Sequence, residues 1–254
     1  MKFYKYRPMG DTGIPWVERI VLHNELYFAP AAKFNDPFDL RPSLSFEATH
    51  EERVKAFIRL ASTRKPGLTP VQIEAEAERL VAAAFDPANF AGTAASMGRG
   101  LTGVLTEHVG GFCASGKRDD ILMWSHYADS HRGICLEFDE ACPLFAAAQQ
   151  VKYSKFRSPI NRYSDDYDAM AEKALLTKSD HWKYEAEWRS LRLDEGPGTV
   201  RFAPEHLTGI VIGACATNAT VERVKEWTAM RSTPWTVYQA TVNDGAFVLD
   251  VVRR

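Results

Sequence analysis

Asp180-His181-Trp182-Lys183-Tyr184-Glu185-Ala186-Glu187-Trp188-Arg189-Ser190 is the stretch on which the fold of this chain turns. Read as a strand continuing to Leu193, it repeats its side chains every second residue. Glu185, Glu187 and Arg189 then share one face, and Tyr184, Ala186 and Trp188 share the other. Two carboxylates beside an arginine can serve chemistry. An exposed strand face with both glutamates paired to Lys183 or Arg189 fits the same residues, since clustered charge is usually solvated. Read as a helix, the stretch would spread the glutamates apart.

Residues 164–182 read as a helix through Met170, Ala174 and Leu175, and Val151-Lys152-Tyr153 as a short strand. Upstream, Ile134–Phe138 is a strand and Ile121–Ser130 a helix, stopped at Gly133. Gly110–Gly116 holds a short buried strand between glycine turns. Downstream come an apolar strand within Gly209–Gly213 and an amphipathic helix from Ala219 to Met230. A hairpin of Trp235–Val242 and Ala246–Val252 follows, turning at Asn243-Asp244-Gly245. At the N-terminus, Phe3–Arg7 and Leu26–Ala29 read as strands around a helix from Pro15 to Asn24.

Residues 45–110 read as a mainly helical insertion. Thr49 with Glu52, and Thr69 with Gln72 around Pro70, are helix-start signals, and a third helix lies between Phe90 and His108. Strands at both ends and helices in the middle give an α+β class, with residues 1–254 as one domain.

The 254 residues are 45% hydrophobic and 25% charged, with a net charge of -2. No basic excess points to nucleic acid. No apolar run approaches the roughly 18 residues of a membrane span, and no signal-peptide core opens the chain. A cytoplasmic location, with no membrane partner and four reduced cysteines, is expected. GxGxxG after a strand, GxxxxGK[ST], HExxH and GxSxG are all absent, which disfavours Rossmann and P-loop sites. His126 and His131 stand five apart without a clear carboxylate partner, so no metal site is assigned.

Trp124, Tyr127 and His131 are spaced to share one helical stripe, either as core or as an aromatic wall for a planar ligand. Asn35-Asp36-Pro37-Phe38-Asp39 is turn chemistry, either as an ordinary turn or as a loop presenting polar groups such as Asn35 over a cleft.

YKYRP, LYFAPAAKFNDPFD, GFCASG, LMWSHYADSHRGICLEFD and KSDHWKYEAEWRS, in that order, resemble a bacterial family known as domain of unknown function 2971. More distantly, the layout resembles the ADP-ribosyltransferase superfamily, especially its DNA-modifying toxin branch. That resemblance implies a split β core of two small packed sheets, with the helices of 45–110 as an insertion. It implies NAD as substrate, with Glu187 as the catalytic glutamate and Glu185 orienting the acceptor. Lys5 or Arg7 would bind the diphosphate or ribose, Ser115 would match the second-motif serine, and Tyr127 would stack on nicotinamide. Trp124 and His131 of the aromatic stripe and Asn35 of the turn complete the candidate binding set. The serine-x-serine form of the second motif is absent, only Ala114-Ser115 standing there.

The chemistry suits these residue types. A carboxylate near the ribose stabilises oxocarbenium-like charge, a second accepts a proton, and a cation holds the diphosphate. The acceptor, protein or nucleic acid, is left open, as is an antitoxin or phage-defence partner. Two other readings remain. One is a nucleotide-sensing or partner-binding module with structural glutamates. The other is a metal-dependent nuclease using Asp36, Asp39 and the glutamates.

Overall fold

A computed structural model of the chain describes residues 1–65, 67–84 and 87–254. In chain order the first elements are β1 (Lys2–Arg7), α1 (Ile14–Val21), β2 (Glu25–Pro30), β3 (Leu44–Ser45), α2 (His50–Arg64), α3 (Pro70–Ala84) and α4 (Pro87–His108). Then come β4 (Gly110–Ser115), α5 (Ile121–Tyr127), β5 (Ile134–Asp139), β6 (Gln149–Gln150), β7 (Lys152–Ser154), β8 (Ile160–Asn161), α6 (Tyr167–Ala171) and β9 (Thr177–Ser179). The last are β10 (Glu187–Arg192), β11 (Gly198–Arg201), β12 (Leu207–Ile212), α7 (Asn218–Met230), β13 (Thr236–Val242) and β14 (Leu249–Arg253). The class is α+β. The described residues fall into two compact units, one of Met1–Lys33, His108–Lys155 and Lys178–Arg254, the other of Phe34–Glu107 and Phe156–Thr177.

The first unit is built on a ten-stranded sheet in the order β11-β2-β4-β1-β5-β12-β13-β14, with β10 paired to β4 and β6 to β10. The resemblance implied two small packed sheets; instead these strands join in one branched sheet. The branch is at β4. One edge pairs with β10 along its whole length, from Glu187↔Ser115 to Arg192↔Gly110. The other edge is shared, by β2 at Gly110 and Gly111 and by β1 at Ser115. The sheet therefore splays on that edge between Phe112 and Ala114.

Period-two alternation gives this sheet two buried faces. Ile134, Leu136 and Phe138 of β5 join Ile210 and Ile212 of β12 in a core that also holds Val17 and Ile20 of α1 and Val224 and Trp227 of α7. The intervening residues, Cys135 and Val211, lie in a second core with Tyr6, Ala240 and the α5 residues Met123 and Trp124. β12 and β13 run parallel, and α7 makes the crossover that parallel pairing requires.

In the second unit, Val54 of α2 packs with Ala77 and Val81 of α3. The Thr49–Glu52 capping box forms in both directions, with bonds of 3.2 and 2.7 Å, and Thr69 and Gln72 exchange the equivalent pair at α3. This unit starts before residue 45, at Phe34, and includes Phe156–Thr177.

Three local expectations give way. Residues 164–182 are not one helix. α6 ends at Ala171, a π-helical turn spans Glu172–Leu176, and β9 follows. The opening stretch is not one strand. Asp180–Glu185 is a 3₁₀ turn, Ala186 is left-handed at φ 43°, and only then does β10 begin. Nor does α5 reach His131. It stops at Tyr127, and Asp129, Ser130 and His131 all take positive φ of 49°, 51° and 67°.

Gly133 ends that turn under tight constraint. Its amide donates to Ala128 O at 2.8 Å, and a Cβ there would fall 2.2 Å from the Arg7 carbonyl oxygen. Gly133→Ala must push backbone from backbone. We expect a loss of about 1–3 kcal/mol in urea denaturation, and a variant as stable as the parent would show the approach of β1 and β5 to be looser than described.

Candidate functional site

Glu187 is the first residue of β10 and stands opposite Ser115, the last of β4. Ser115 is opposite Tyr4 of β1, Tyr4 opposite Glu137 of β5, and Glu137 opposite Gly209 of β12. Directly opposed residues point to the same face, so one rung of the sheet carries Glu137, Tyr4, Ser115 and Glu187 side by side.

At the β10 end of this rung lies a buried charge cluster. Lys178 Nζ donates to Glu185 Oε2 at 2.5 Å and to Glu187 Oε2 at 3.0 Å. Arg189 Nε donates to Glu187 Oε1 at 2.7 Å, and a second guanidinium nitrogen to Oε2 at 3.2 Å. Tyr127 donates its hydroxyl proton to Glu185 Oε1 at 2.6 Å. Glu185, Glu187, Lys178 and Arg189 are only 4%, 3%, 6% and 1% exposed. At such burial an unpaired charge costs several kcal/mol, so two carboxylates are balanced by two cations.

The backbone explains how Glu185 arrives although it is off the strand. The left-handed Ala186 turns the chain so that Glu185 O accepts from Ser115 Oγ at 2.7 Å and Ala186 O from Gly116 N at 2.9 Å. Glu187 N donates to the Tyr153 hydroxyl at 2.8 Å. The 3₁₀ turn raises an aromatic row beside the cluster: Trp182 and Tyr184 centroids lie 6.1 Å apart, Tyr184 and His126 6.0 Å, and Lys178 Nζ sits 5.0 Å from the Trp182 ring.

The two carboxylates are driven apart electrostatically. Burial pushes Glu185 up from the ordinary value, with Lys178 opposing and Glu187 adding to the rise. Burial would raise Glu187 too, but Arg189 and Lys178 outweigh it and hold this carboxyl well below the usual range. Glu187 is thus a fixed negative charge, and Glu185 the group able to take up a proton. Cys113, bonded to Glu187, has its thiol pushed up by burial and then by the Glu187 charge, so it stays protonated.

Lys5 alternates with Tyr4 and so leaves the opposite face of β1. Its Nζ reaches the splayed part of β4 and donates to Cys113 O at 2.5 Å, 4.9 Å from the Phe112 centroid. Burial and then Arg7 push Lys5 down to about 8. Arg7 follows on that face; its Nε is buried and has no hydrogen-bond partner among the described residues, and burial lowers the group to about 10.

Trp124 is not a ligand wall. It is fully buried edge-on against Tyr6, with Nε1 bonded to Arg118 O. His131 is off the helical stripe, because its left-handed backbone turns away and its carbonyl accepts from Cys215 N. Tyr127 does join the cluster, through its hydroxyl. Ser115 is a buried brace, accepting from Lys117 N as well. Asn35 belongs to the second unit.

Lys178, Tyr153 and the Glu137 end of the rung were not found from sequence. Lys178 has no local signal, whereas Arg189 is legible as the i+2 neighbour of Glu187 on a strand. Lys183 is not the partner. Glu137 accepts from Thr208 Oγ1 at 2.9 Å and faces Arg118 at 3.5 Å. Tyr4 beside it is raised to about 12 by burial and then by the Glu137 charge. Among the described residues no group of three or more His, Cys, Asp or Glu is arranged to hold a metal ion.

Two measurements test this electrostatic picture. Glu187→Gln leaves Arg189 buried against a neutral partner and should lose about 3–5 kcal/mol in urea denaturation; a loss of about 0–1 kcal/mol, typical of exposed pairs, would contradict it. Lys5 binds its proton more weakly folded than unfolded. Between about pH 8 and the ordinary 10.5 the unfolded chain therefore holds more protons, and stability should rise with pH relative to Lys5→Met. Parallel pH profiles for the two proteins would remove the claimed shift.

No helix among the described residues is long and apolar enough to cross a membrane. No curated protein and no solved structure matches the chain. Residues 123–190, running from α5 to β10 and so spanning Tyr127, Lys178, Glu185 and Glu187, match the family model described as "Protein of unknown function (DUF2971)", a match that supports that family for this segment.

Proposed function

We propose that this chain is an NAD-consuming enzyme of the ADP-ribosyltransferase kind, breaking the nicotinamide–ribose bond and passing ADP-ribose to an acceptor or to water. The observation that carries the reading is the pair of buried carboxylates two residues apart, bridged by one ammonium and pushed to opposite proton affinities. Two such groups divide the work of a glycosyl transfer. Glu187, held ionised, opposes the positive charge that develops on the ribose. Glu185, bonded to the Tyr127 hydroxyl, accepts a proton from the nucleophile. The adjacency of β10, β4 and β1 adds support, since it aligns the late glutamate, the serine of GFCASG and the first strand. Lys5 and Arg7 stand on the opposite face of β1 from Glu187, so the reading gives them no part in holding the diphosphate.

A second reading rests on the burial of all four charges. A neutralised cluster this deep also suits a binding module whose glutamates are purely structural. The two separate in one experiment. Nicotinamide release from NAD is measured for the wild type, Tyr127→Phe and Glu185→Gln, alongside melting temperature. The enzymatic reading expects turnover in the wild type and a fall of about 10²–10⁴-fold in Glu185→Gln while the fold persists. A folded wild type that neither binds NAD nor releases nicotinamide with protein, DNA, RNA or water as acceptor refutes it.

A further inference from the structure

The lone pairs of the two carboxylates decide what else can enter the cluster. An ionised carboxylate offers about four acceptor sites. Glu187 gives both oxygens to the Arg189 fork and one also to Lys178. Glu185 gives Oε2 to Lys178 and Oε1 to Tyr127. The position between the two carboxylates, where a cationic acceptor would be held, is filled by Lys178 Nζ. A guanidinium or ammonium brought there would add a third cation to two anions in a site almost shut off from water, where like charges repel strongly.

We propose that Lys178 is a built-in cation occupying the acceptor position of the Glu185–Glu187 pair, so that this site takes neutral hydroxyl nucleophiles, water included, and rejects arginine and lysine side chains. The inference rests on the NAD reading for its reaction but not for its binding claim. In the reaction, the hydroxyl oxygen forms a bond to ribose C1′ and the C1′–nitrogen bond to nicotinamide breaks. The bonding pair leaves with nicotinamide and neutralises its ring. The hydroxyl proton passes to Glu185 and from there to solvent. No oxidant or reductant is involved.

The Glu-x-Glu spacing by itself leaves the acceptor open. What decides it is Lys178, seven positions before Glu185, delivered by β9, with the Trp182 ring 5.0 Å from its ammonium. Lys178 acts through the two carboxylates and is therefore a positioning and specificity-determining residue.

The binding claim is tested without NAD. Agmatine, a soluble guanidinium, is titrated into the wild type, Lys178→Met and Lys178→Arg, and melting temperature is followed with direct calorimetry. Lys178→Met should melt lower than the wild type and regain several degrees with agmatine. The wild type and Lys178→Arg should not respond, the arginine keeping a cation in place. Stabilisation of the wild type by agmatine overturns the proposal, as does a folded Lys178→Met indifferent to it. Should Lys178→Met not fold, Lys178→Gln, which removes the charge but keeps a hydrogen-bonding head, is titrated in its place with the same two outcomes.

With NAD present, methanol as a hydroxyl probe should yield methyl ADP-ribose, and agmatine should yield no adduct. Formation of ADP-ribosyl-agmatine by the wild type overturns the proposal. A wild type that releases no nicotinamide defeats the NAD reading, while the agmatine titration continues to judge the role of Lys178.

Discussion

One ammonium group between two buried carboxylates sets the terms for the core of the first unit. Glu185 and Glu187 lie close enough to raise each other's energy, and neither reaches solvent. Without Lys178 the pair would have to take up a proton, since like charges in a shared buried site do not both stay ionised. With Lys178 in place the chain can tolerate a left-handed alanine, which costs roughly 1–2 kcal/mol, and can fix Glu185 O and Ala186 O against the end of β4. The local backbone and the charge cluster thus require each other.

The branching of β4 is the second constraint. A strand has two edges, and β4 divides one of them between β1 and β2 while giving the whole of the other to β10. Where it splays, the carbonyl of Cys113 is released from strand pairing and satisfied by Lys5, a side chain from the far face of β1. This keeps the polar rung continuous from Glu137 to Glu187 and carries positive charge to the splayed edge. An unbranched sheet would have paired that carbonyl with an amide and left Lys5 no reason to be there.

Much of the fold was legible because its signals are local. The capping boxes at Thr49 and Thr69, the terminal hairpin and the strand Ile134–Phe138 each depend on a few neighbouring residues, and each forms. The glutamates were legible as a pair, and Tyr127 as an aromatic group near them. What escaped depends on distant chain. Residues 172–182 carry a helical pattern and Tyr184–Glu185 read as strand, yet together they form a π turn, a strand and a 3₁₀ turn, because Lys178 is drawn into the cluster and Glu185 must face Ser115. Trp124 and His131 share a stripe only if α5 continues past Tyr127, and the left-handed residues beyond it are held in part by partners some eighty residues later in the chain.

Those left-handed residues tie the end of α5 to the chain that follows β12. Asp129, Ser130 and His131 hold a conformation costing roughly 1–2 kcal/mol at each non-glycine position. The bonds that compensate come partly from afar: His131 O accepts from Cys215 N, and Gly133 O from Gly213 N. The rest are local: Ser130 N donates to Ser125 O, His131 N to Trp124 O and Gly133 N to Ala128 O. The link from α5 to β5 is thus pinned from two sides, by its own turn and by the amides that follow β12. Tyr127 lies just before this link, so the end of α5 that carries its hydroxyl to Glu185 is anchored to a strand on the far side of β5.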